Sequence, residues 1–421
     1  MTAQTLALHG GPKAISDKLP NFLTAAGRTL GAEEEALTLE ALRSGCLSRN
    51  GGRMVKGLEK DFAAALKVKH AIACSSGTAC VHLAVAALDL EPGDEVIVPP
   101  ITDIGTILPV LWQNAIPIFA DVDPLTMLID PDSVRAAITS RTRAVIAVHL
   151  AGAVCPMDEL RALCTQHNLI LIEDCSQAYW AEHRGRLVGS IGDMGCFSLQ
   201  QSKHITCGEG GLMVTSDDAY ATRALLFSDK AWPRHNNTLG AFRFLFLSQN
   251  YRMSDLSGAV AWAQLPKVAP SVERRRSAAA SLSERIEGLE GVHAPHVAAH
   301  TKHSFWLYML RVTEQSGTDA QQFGEALIAE GVPAWIRYIV DPLYLSPVIA
   351  EHRTYGNSGY PFTEYGSQTF ERGLCPNAEK ALSEVIAIQW NENYAERHIA
   401  EIASAIKKVA THFDTKKRNG L

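Results

Sequence analysis

The sequence predicts an α/β protein: a mostly parallel sheet covered by helices on both faces, followed by a smaller α+β domain. Three observations carry this. Between His70 and Glu173, short β-branched or leucine-rich runs alternate with helical stretches, as strands buried on both faces do. The rhythm returns at Gly195–Leu199 and Leu212–Thr215, which read as an antiparallel or edge pair. After a break at 230–251, a strongly helical run over 253–290 leads into a last third that mixes strand-like and helical segments. These shifts divide the chain into an N-terminal arm (1–30), a large domain (31–265) and a smaller C-terminal domain (266–421).

The arm is irregular, with a few Gly and Pro punctuators. A helix is expected from Gly31 to Arg43, then a Gly/Ser/Asn loop at 44–52. Leu58, Phe62, Ala65 and Leu66 fit one face of the next helix. His70–Cys74 is a short strand and Thr78–Leu88 a helix. Glu95–Val98 and Ile116–Ala120 are strands around a helix at Gly105–Trp112. Pro131 suits the first turn of a helix reaching Ile138. Ala144–Val148 and Leu169–Glu173 are strands flanking a helix at Met157–His167. The polar and aromatic stretch 230–251 suggests a lid or an interface excursion. Further on, strands are expected at Phe305–Val312 and Ile336–Val340, and helices at Ala320–Glu330 and His398–Thr411. No internal repeat or low-complexity tract is visible.

Composition narrows the function. The chain has 421 residues, 47% hydrophobic and 20% charged, which suits a globular enzyme large enough to need no disulfide or metal staple. Asp plus Glu (45) exceed Lys plus Arg (39), for a net charge of -6. That balance gives no footprint for nucleic acid or an anionic membrane, though a local basic pocket for a phosphorylated ligand stays possible. Nine scattered cysteines form no CxxC pair, so neither a zinc site nor a disulfide framework is expected. Residues 1–13 lack a basic stretch leading into an apolar one, and no apolar run reaches a membrane span. A cytoplasmic location is the expectation.

The chemistry gathers around one lysine. Lys203 lies in a loop that ends in Gly208-Glu209-Gly210-Gly211, between two apolar strand segments. A lysine there is either a surface loop residue or an amine held ready for a Schiff base with pyridoxal 5'-phosphate (PLP). Its ordinary pKa of about 10.4 means that it needs burial or a neighbouring group to act as a base near neutrality. Ser75-Ser76-Gly77-Thr78 joins a strand to a helix, where backbone N–H groups and the helix dipole can hold a phosphate; ordinary capping uses the same residues. Glu173-Asp174 closes a buried strand, at the end of the sheet where ligands of open α/β folds collect. Asp174 is the candidate partner for a pyridine nitrogen, helix capping or a salt bridge being the alternative. Glu173 falls on the opposite side because strand side chains alternate.

Several ordered motifs carry a resemblance: Ser75-Ser76-Gly77-Thr78, Gly93-Asp94-Glu95-Val96-Ile97-Val98-Pro99, Asp121-Val122-Asp123, Val148-His149-Leu150-Ala151-Gly152, Glu173-Asp174 with Gln177-Ala178, Phe197-Ser198 through Lys203 to Gly211, and Asn250-Tyr251-Arg252-Met253-Ser254-Asp255. From about residue 30 onward the chain resembles the sugar aminotransferases of the DegT/DnrJ/EryC1/StrS family. The resemblance implies fold-type I of the PLP enzymes, with a seven-stranded sheet in a three-layer αβα domain and a homodimer with shared active sites. Lys203 would bond the cofactor aldehyde as an imine and Asp174 would bond the ring nitrogen. Gln177 would lie near the phenolic oxygen. Ser76, Gly77, Thr78 and Ser198 would cradle the phosphate, and Asn250 would reach the phosphate held by the neighbouring subunit. Asn250 also reads as a helix cap, Ser198 as a packed strand hydroxyl, and His204 as a packing residue.

Two features stand apart within the family pattern. Pro99-Pro100-Ile101-Thr102-Asp103 places Asp103 where an aromatic residue usually stacks on the ring, so a substrate contact is expected of it instead. Related dehydratases carry histidine where this chain has Lys203, which favours transamination. The implied reaction moves an amino group from glutamate or glutamine, through PLP and pyridoxamine phosphate (PMP), to a nucleotide-linked or free keto sugar or a ketocyclitol. Leu8-His9-Gly10-Gly11-Pro12 resembles the opening of antibiotic cyclitol aminotransferases. Trp335, Arg337 and Tyr338 are further candidates for substrate contact, with packing or an interface as the other reading. The alternatives are a PLP-dependent dehydratase or aromatising enzyme of the same family, and a non-catalytic PLP-fold regulator.

Overall fold

The computed structural model describes residues 5–234, 243–366 and 368–418. In chain order the strands are β1 (His70–Cys74), β2 (Glu95–Val98), β3 (Ile116–Phe119), β4 (Thr142–Val148), β5 (Ile170–Asp174), β6 (Glu182–His183), β7 (Arg186–Leu187), β8 (Met194–Ser198), β9 (Gly211–Thr215), β10 (Val292–His293), β11 (Thr301–Lys302), β12 (Leu307–Val312), β13 (Ala334–Ile336) and β14 (Val385–Gln389). Seven of them form one sheet in the order β1-β9-β8-β5-β4-β2-β3. All neighbours are parallel except β9, which is antiparallel to both β1 and β8. The expected antiparallel pair therefore exists, but it lies inside the sheet; β1 and β3 are the edges.

Strands β2, β3, β8 and β9 are buried along their whole length, because helices cover both faces of the sheet. The helix Met54–Leu66 turns Val55, Leu58, Phe62, Ala63 and Leu66 inward. Ala65, expected on that face, points to solvent, since the helical period brings Ala63 there instead. Phe62 packs edge-on to Phe197 of β8 at 5.1 Å between ring centroids. The helix expected at 105–112 is broken into a 3-10 turn, Ile104–Thr106, and a short helix, Leu108–Trp112. Asp130 caps the helix Pro131–Ala137 through the backbone N–H of Ser133.

The C-terminal part is built on a four-stranded antiparallel sheet in the order β10-β12-β14-β13. A small ribbon in the order β11-β6-β7 forms a third sheet. The strand expected at 336–340 is β13 instead, which stops at Ile336 because Arg337 takes a left-handed conformation (φ 65°). Helices Val268–Ile286 and Glu396–Arg418 pack against each other over the second hydrophobic core. The N-terminal segment joins that core too: Leu6, Ile15 and Leu19 are buried in it, and Glu330 accepts the N–H groups of Ala7 and Ala14 at 2.8 and 2.9 Å. Of the 230–250 excursion, 235–242 lie outside the described residues; its ends are paired through Lys230 N–H to the Gln249 carbonyl at 2.7 Å. Among the described residues no helix is long and apolar enough to cross a membrane.

One buried charge pair ties the long helix to the second sheet. Arg275 donates to Glu392 from Nε (3.0 Å) and Nη2 (2.6 Å), and from Nη1 to the carbonyls of Trp390, Phe305 and Trp306. Both side chains are 1% exposed, so each depends on the other for compensation of its lost hydration. Arg275→Met strands Glu392 and is expected to destabilise the protein by about 3–5 kcal/mol, read as a loss of denaturant midpoint.

Candidate active site

A small cavity of about 370 Å³ sits at the carboxyl ends of β1, β5 and β8. Its first wall is the N-terminus of the helix Gly77–Ala87, which begins where β1 ends. Ser76 is the cap, its Oγ accepting from the Ala79 N–H at 3.0 Å. A side chain at Gly77 would place Cβ 2.6 Å from Cβ and 2.8 Å from Oγ of Ser198. Only glycine lets the helix N-terminus close on the end of β8. The result is a cradle of free N–H groups and a hydroxyl, with the positive end of a helix behind it, which fits a phosphate.

The second wall is the end of β5. Asp174 enters the cavity, where its carboxylate accepts from Thr106 Oγ1 at 2.8 Å and from the Ser176 N–H at 3.1 Å. Thr106 is bonded in turn to Thr102 at 2.8 Å. Glu173 points the other way. Its oxygens accept from the N–H groups of Gly189 (2.9 Å), Ile191 (2.7 Å) and Gly192 (2.6 Å) and from His149 Nε2 (3.1 Å). Burial alone would raise the Glu173 pKa; the His149 contact and the backbone donors outweigh it and hold the carboxyl below its ordinary value. His149, Glu173 and Cys175 are close enough to suggest a metal cluster. However, His149 Nδ1 accepts the Cys155 N–H, so Nε2 carries the proton and has no lone pair for a metal. Gln177 lies over the cavity with both ends fixed: Oε1 accepts the Ala151 N–H at 2.7 Å and Nε2 donates to the Tyr338 hydroxyl at 2.7 Å.

Lys203 completes the site. Its amine lies 4.0 Å from the centre of the Trp306 ring and lines the same cavity as Gly77, Thr78, Asp174 and Ser198. Burial pulls its pKa down to about 8, against the opposing pull of Asp103 and Asp174. Asp103 also reaches the cavity, with Oδ1 capping the Gly105 N–H at 2.8 Å. Asn250 stands apart, bridged through its backbone to Asp229. Trp335 and Arg337 are not brought to the cavity: Trp335 is 37% exposed on β13, and Arg337 turns back to the Val340 carbonyl at 3.2 Å. His204 is buried, its Nε2 bonded to the Ser304 carbonyl at 3.1 Å. Trp306, Thr106 and Thr102 are site residues that the sequence reading passed over. Thr102 lies in the segment Pro99-Pro100-Ile101-Thr102-Asp103 that carries Asp103; nothing local marks Thr106 or Trp306. A larger cavity of about 870 Å³, between 124–127 and 283–297, holds none of the expected site residues.

The depressed amine has a consequence for the cofactor-free protein. Between pH 8 and 10.5 the unfolded chain keeps a proton on Lys203 that the folded chain has released. Stability therefore rises with pH through that window. Lys203→Met is expected to abolish the rise and to gain on the order of 2–3 kcal/mol below pH 8, measured by urea unfolding across the pH range.

The chain is similar to known proteins over most of its length. The sequence model of the DegT/DnrJ/EryC1/StrS aminotransferase family matches residues 28–407. GDP-perosamine synthase of Caulobacter vibrioides is 36% identical over 80% of this chain and 89% of its own length. L-glutamine:2-deoxy-scyllo-inosose aminotransferase of Streptomyces paromomycinus is 32% identical over 97% of this chain and 98% of its own. Among solved structures, DesV of S. venezuelae superposes with a TM-score of 0.83 and 28% identity, covering 95% of this chain and 99% of that one. The chain thus belongs to the DegT/DnrJ/EryC1/StrS family of fold-type I PLP-dependent aminotransferases.

Proposed function

We propose that the protein moves the amino group of glutamine or glutamate onto the ketone of a keto sugar or ketocyclitol. The observation that carries this reading is the meeting, in one cavity, of a half-buried lysine whose amine is shifted toward deprotonation, a strand-end carboxylate and an open helix N-terminus. Bound there, PLP supplies an aldehyde that exchanges amines and a ring that takes up the electron pair released at the substrate carbon.

The chain's own residues supply the rest. The N–H groups at Gly77 and Thr78, with the Ser76 and Ser198 hydroxyls, hold the phosphate. The Asp174 carboxylate, fixed by Thr106 and the Ser176 N–H, keeps a proton on the ring nitrogen. Gln177 presents its amide beside the phenolic oxygen. Lys203 carries the cofactor between turnovers and, once displaced, moves a proton at Nζ; an amine near pKa 8 suits both tasks. Trp306 screens that amine from bulk water. Asp103 and Tyr338 meet the acceptor. Asn250, away from its own chain's cavity, serves the phosphate of a second subunit, which makes the working unit a homodimer.

For the acceptor, a free ketocyclitol has the stronger support. The inosose aminotransferase of Streptomyces paromomycinus aligns over 97% of this chain, whereas the GDP-perosamine synthase alignment covers 80%. The cyclitol-like segment Leu8-His9-Gly10-Gly11-Pro12 agrees with this.

The test is amine exchange. With PLP bound, glutamine or glutamate should bleach the visible absorbance, and an inosose should restore it. Failure of every keto sugar and ketocyclitol to restore it overturns the acceptor class. Asp174→Asn should lower kcat by about 10²–10⁴-fold and leave the melting temperature of the cofactor-free protein within a few degrees of wild type.

A further inference from the structure

Three consecutive carbonyls of the lysine loop are each met by a donor from outside the loop. Arg28 Nη2 donates to the Gln201 carbonyl and Nη1 to the Lys203 carbonyl at 2.8 Å; Trp306 Nε1 donates to the Ser202 carbonyl between them at 2.9 Å. Arg28 also donates from Nε to the Phe22 carbonyl at 3.2 Å, and Gln201 Nε2 returns to that same oxygen at 2.8 Å. Segment 21–28 is itself folded tightly: a Cβ on Gly27 would lie 1.9 Å from the Asn21 carbonyl oxygen. Its far side is held by Asn391 Nδ2 on the Gly27 carbonyl (3.1 Å) and Asn393 Nδ2 on the Ala26 carbonyl (2.9 Å). The segment is thus a strap between the C-terminal sheet and the backbone that carries Lys203.

Arg28 is 7% exposed, and the nearby charge of Glu392, which is bonded to Arg275, offsets its burial only in part. Burial lowers its pKa to about 10. A buried guanidinium that bonds to no carboxylate of its own is costly, and a packing role alone would be better met by an apolar side chain. What the guanidinium does here is specific to its shape: a planar fork spans two carbonyls that are two residues apart. Fixing the carbonyl of residue 203 fixes the direction of its Cα–Cβ bond, and so the path of the amine past Trp306 into the cavity.

We propose that Arg28 is a positioning residue for the Lys203 amine, acting through the Gln201 and Lys203 carbonyls. The inference rests on Lys203 being the cofactor-bearing residue. A displacement of the amine of about 1 Å costs on the order of 100-fold in rate without a matching loss of substrate binding.

The experiment compares wild-type, Arg28→Gln and Arg28→Lys holoenzymes by kcat and KM for glutamine, by the pH titration of the visible absorbance, and by melting temperature. Arg28→Gln is expected to lower kcat by about 10–100-fold with KM little changed, and to move the pH midpoint of the absorbance. Arg28→Lys, which can reach one carbonyl but not both, should fall between the two; it also serves if Arg28→Gln does not fold. Variants with wild-type kcat and an unmoved midpoint, whatever their melting temperature, overturn the inference. Borohydride reduction and peptide mapping of the wild type separate this from the underlying reading. A pyridoxyl mass absent from position 203 overturns both; one present there, with the variants unchanged, overturns the role of Arg28 alone.

Discussion

Everything at the site hangs on two neighbouring carboxylates that face opposite ways. Glu173 is wholly buried, and its two oxygens receive three backbone N–H groups and one imidazole N–H. A carboxylate so enclosed tolerates no register slip, because a shift by one residue would exchange it with Asp174 and leave both unsatisfied. The same contacts pin the turn at 189–192, which feeds β8. The end of β8 carries Ser198, and Ser198 meets the helix at Gly77. From one saturated anion the order passes to the carboxylate in the cavity, to the cradle, and to the loop that bears the amine.

Local signals read well where they matched a local cause. Strands buried on both faces show as apolar runs, and β1, β2 and the helix Met157–His167 fall where the sequence puts them. The alternation of side chains placed Glu173 and Asp174 on opposite sides of β5. Errors arose where the cause lay elsewhere in the chain. Ala65 is apolar, yet solvent lies on its side of the helix. The interior position of β8 and β9 depends on β1 pairing from far upstream, which no property of 195–215 announces. Strand β14 and the helix Pro376–Glu384 went unread in a stretch of mixed composition. Trp335 and Arg337 were singled out by residue type, and a left-handed backbone at 337 turns that segment off its strand. Trp306 and Arg28 reach the lysine loop from about 100 and 175 residues away. Such contacts leave no periodic trace.

The two hydrophobic cores are not separate blocks strung along the chain. Leu6, Ile15 and Leu19 of the arm are buried with the C-terminal sheet, while the helix Pro376–Glu384 packs into the core of the first sheet. Asp121, just beyond β3, accepts the first N–H groups of that late helix from Asn377 and Ala378. Gln177 makes a shorter link, from the 150–152 turn to Tyr338. Of these links the one at Gln177 lies at the cavity, where it ties the wall beyond β5 to the segment that follows β13.

Because β9 runs against its neighbours, the amine-bearing loop leaves and re-enters the sheet at the same end, as a local hairpin. The helix N-terminus that faces it comes from much earlier, with Cys196 meeting the Cys80 carbonyl across 116 residues. Closing that long loop is the entropically slow step, whereas the hairpin forms from near neighbours. A chain that has made the hairpin but not the long contact has its lysine loop with no cradle opposite it, so a phosphate seat exists only once the sheet has closed from β1 to β8.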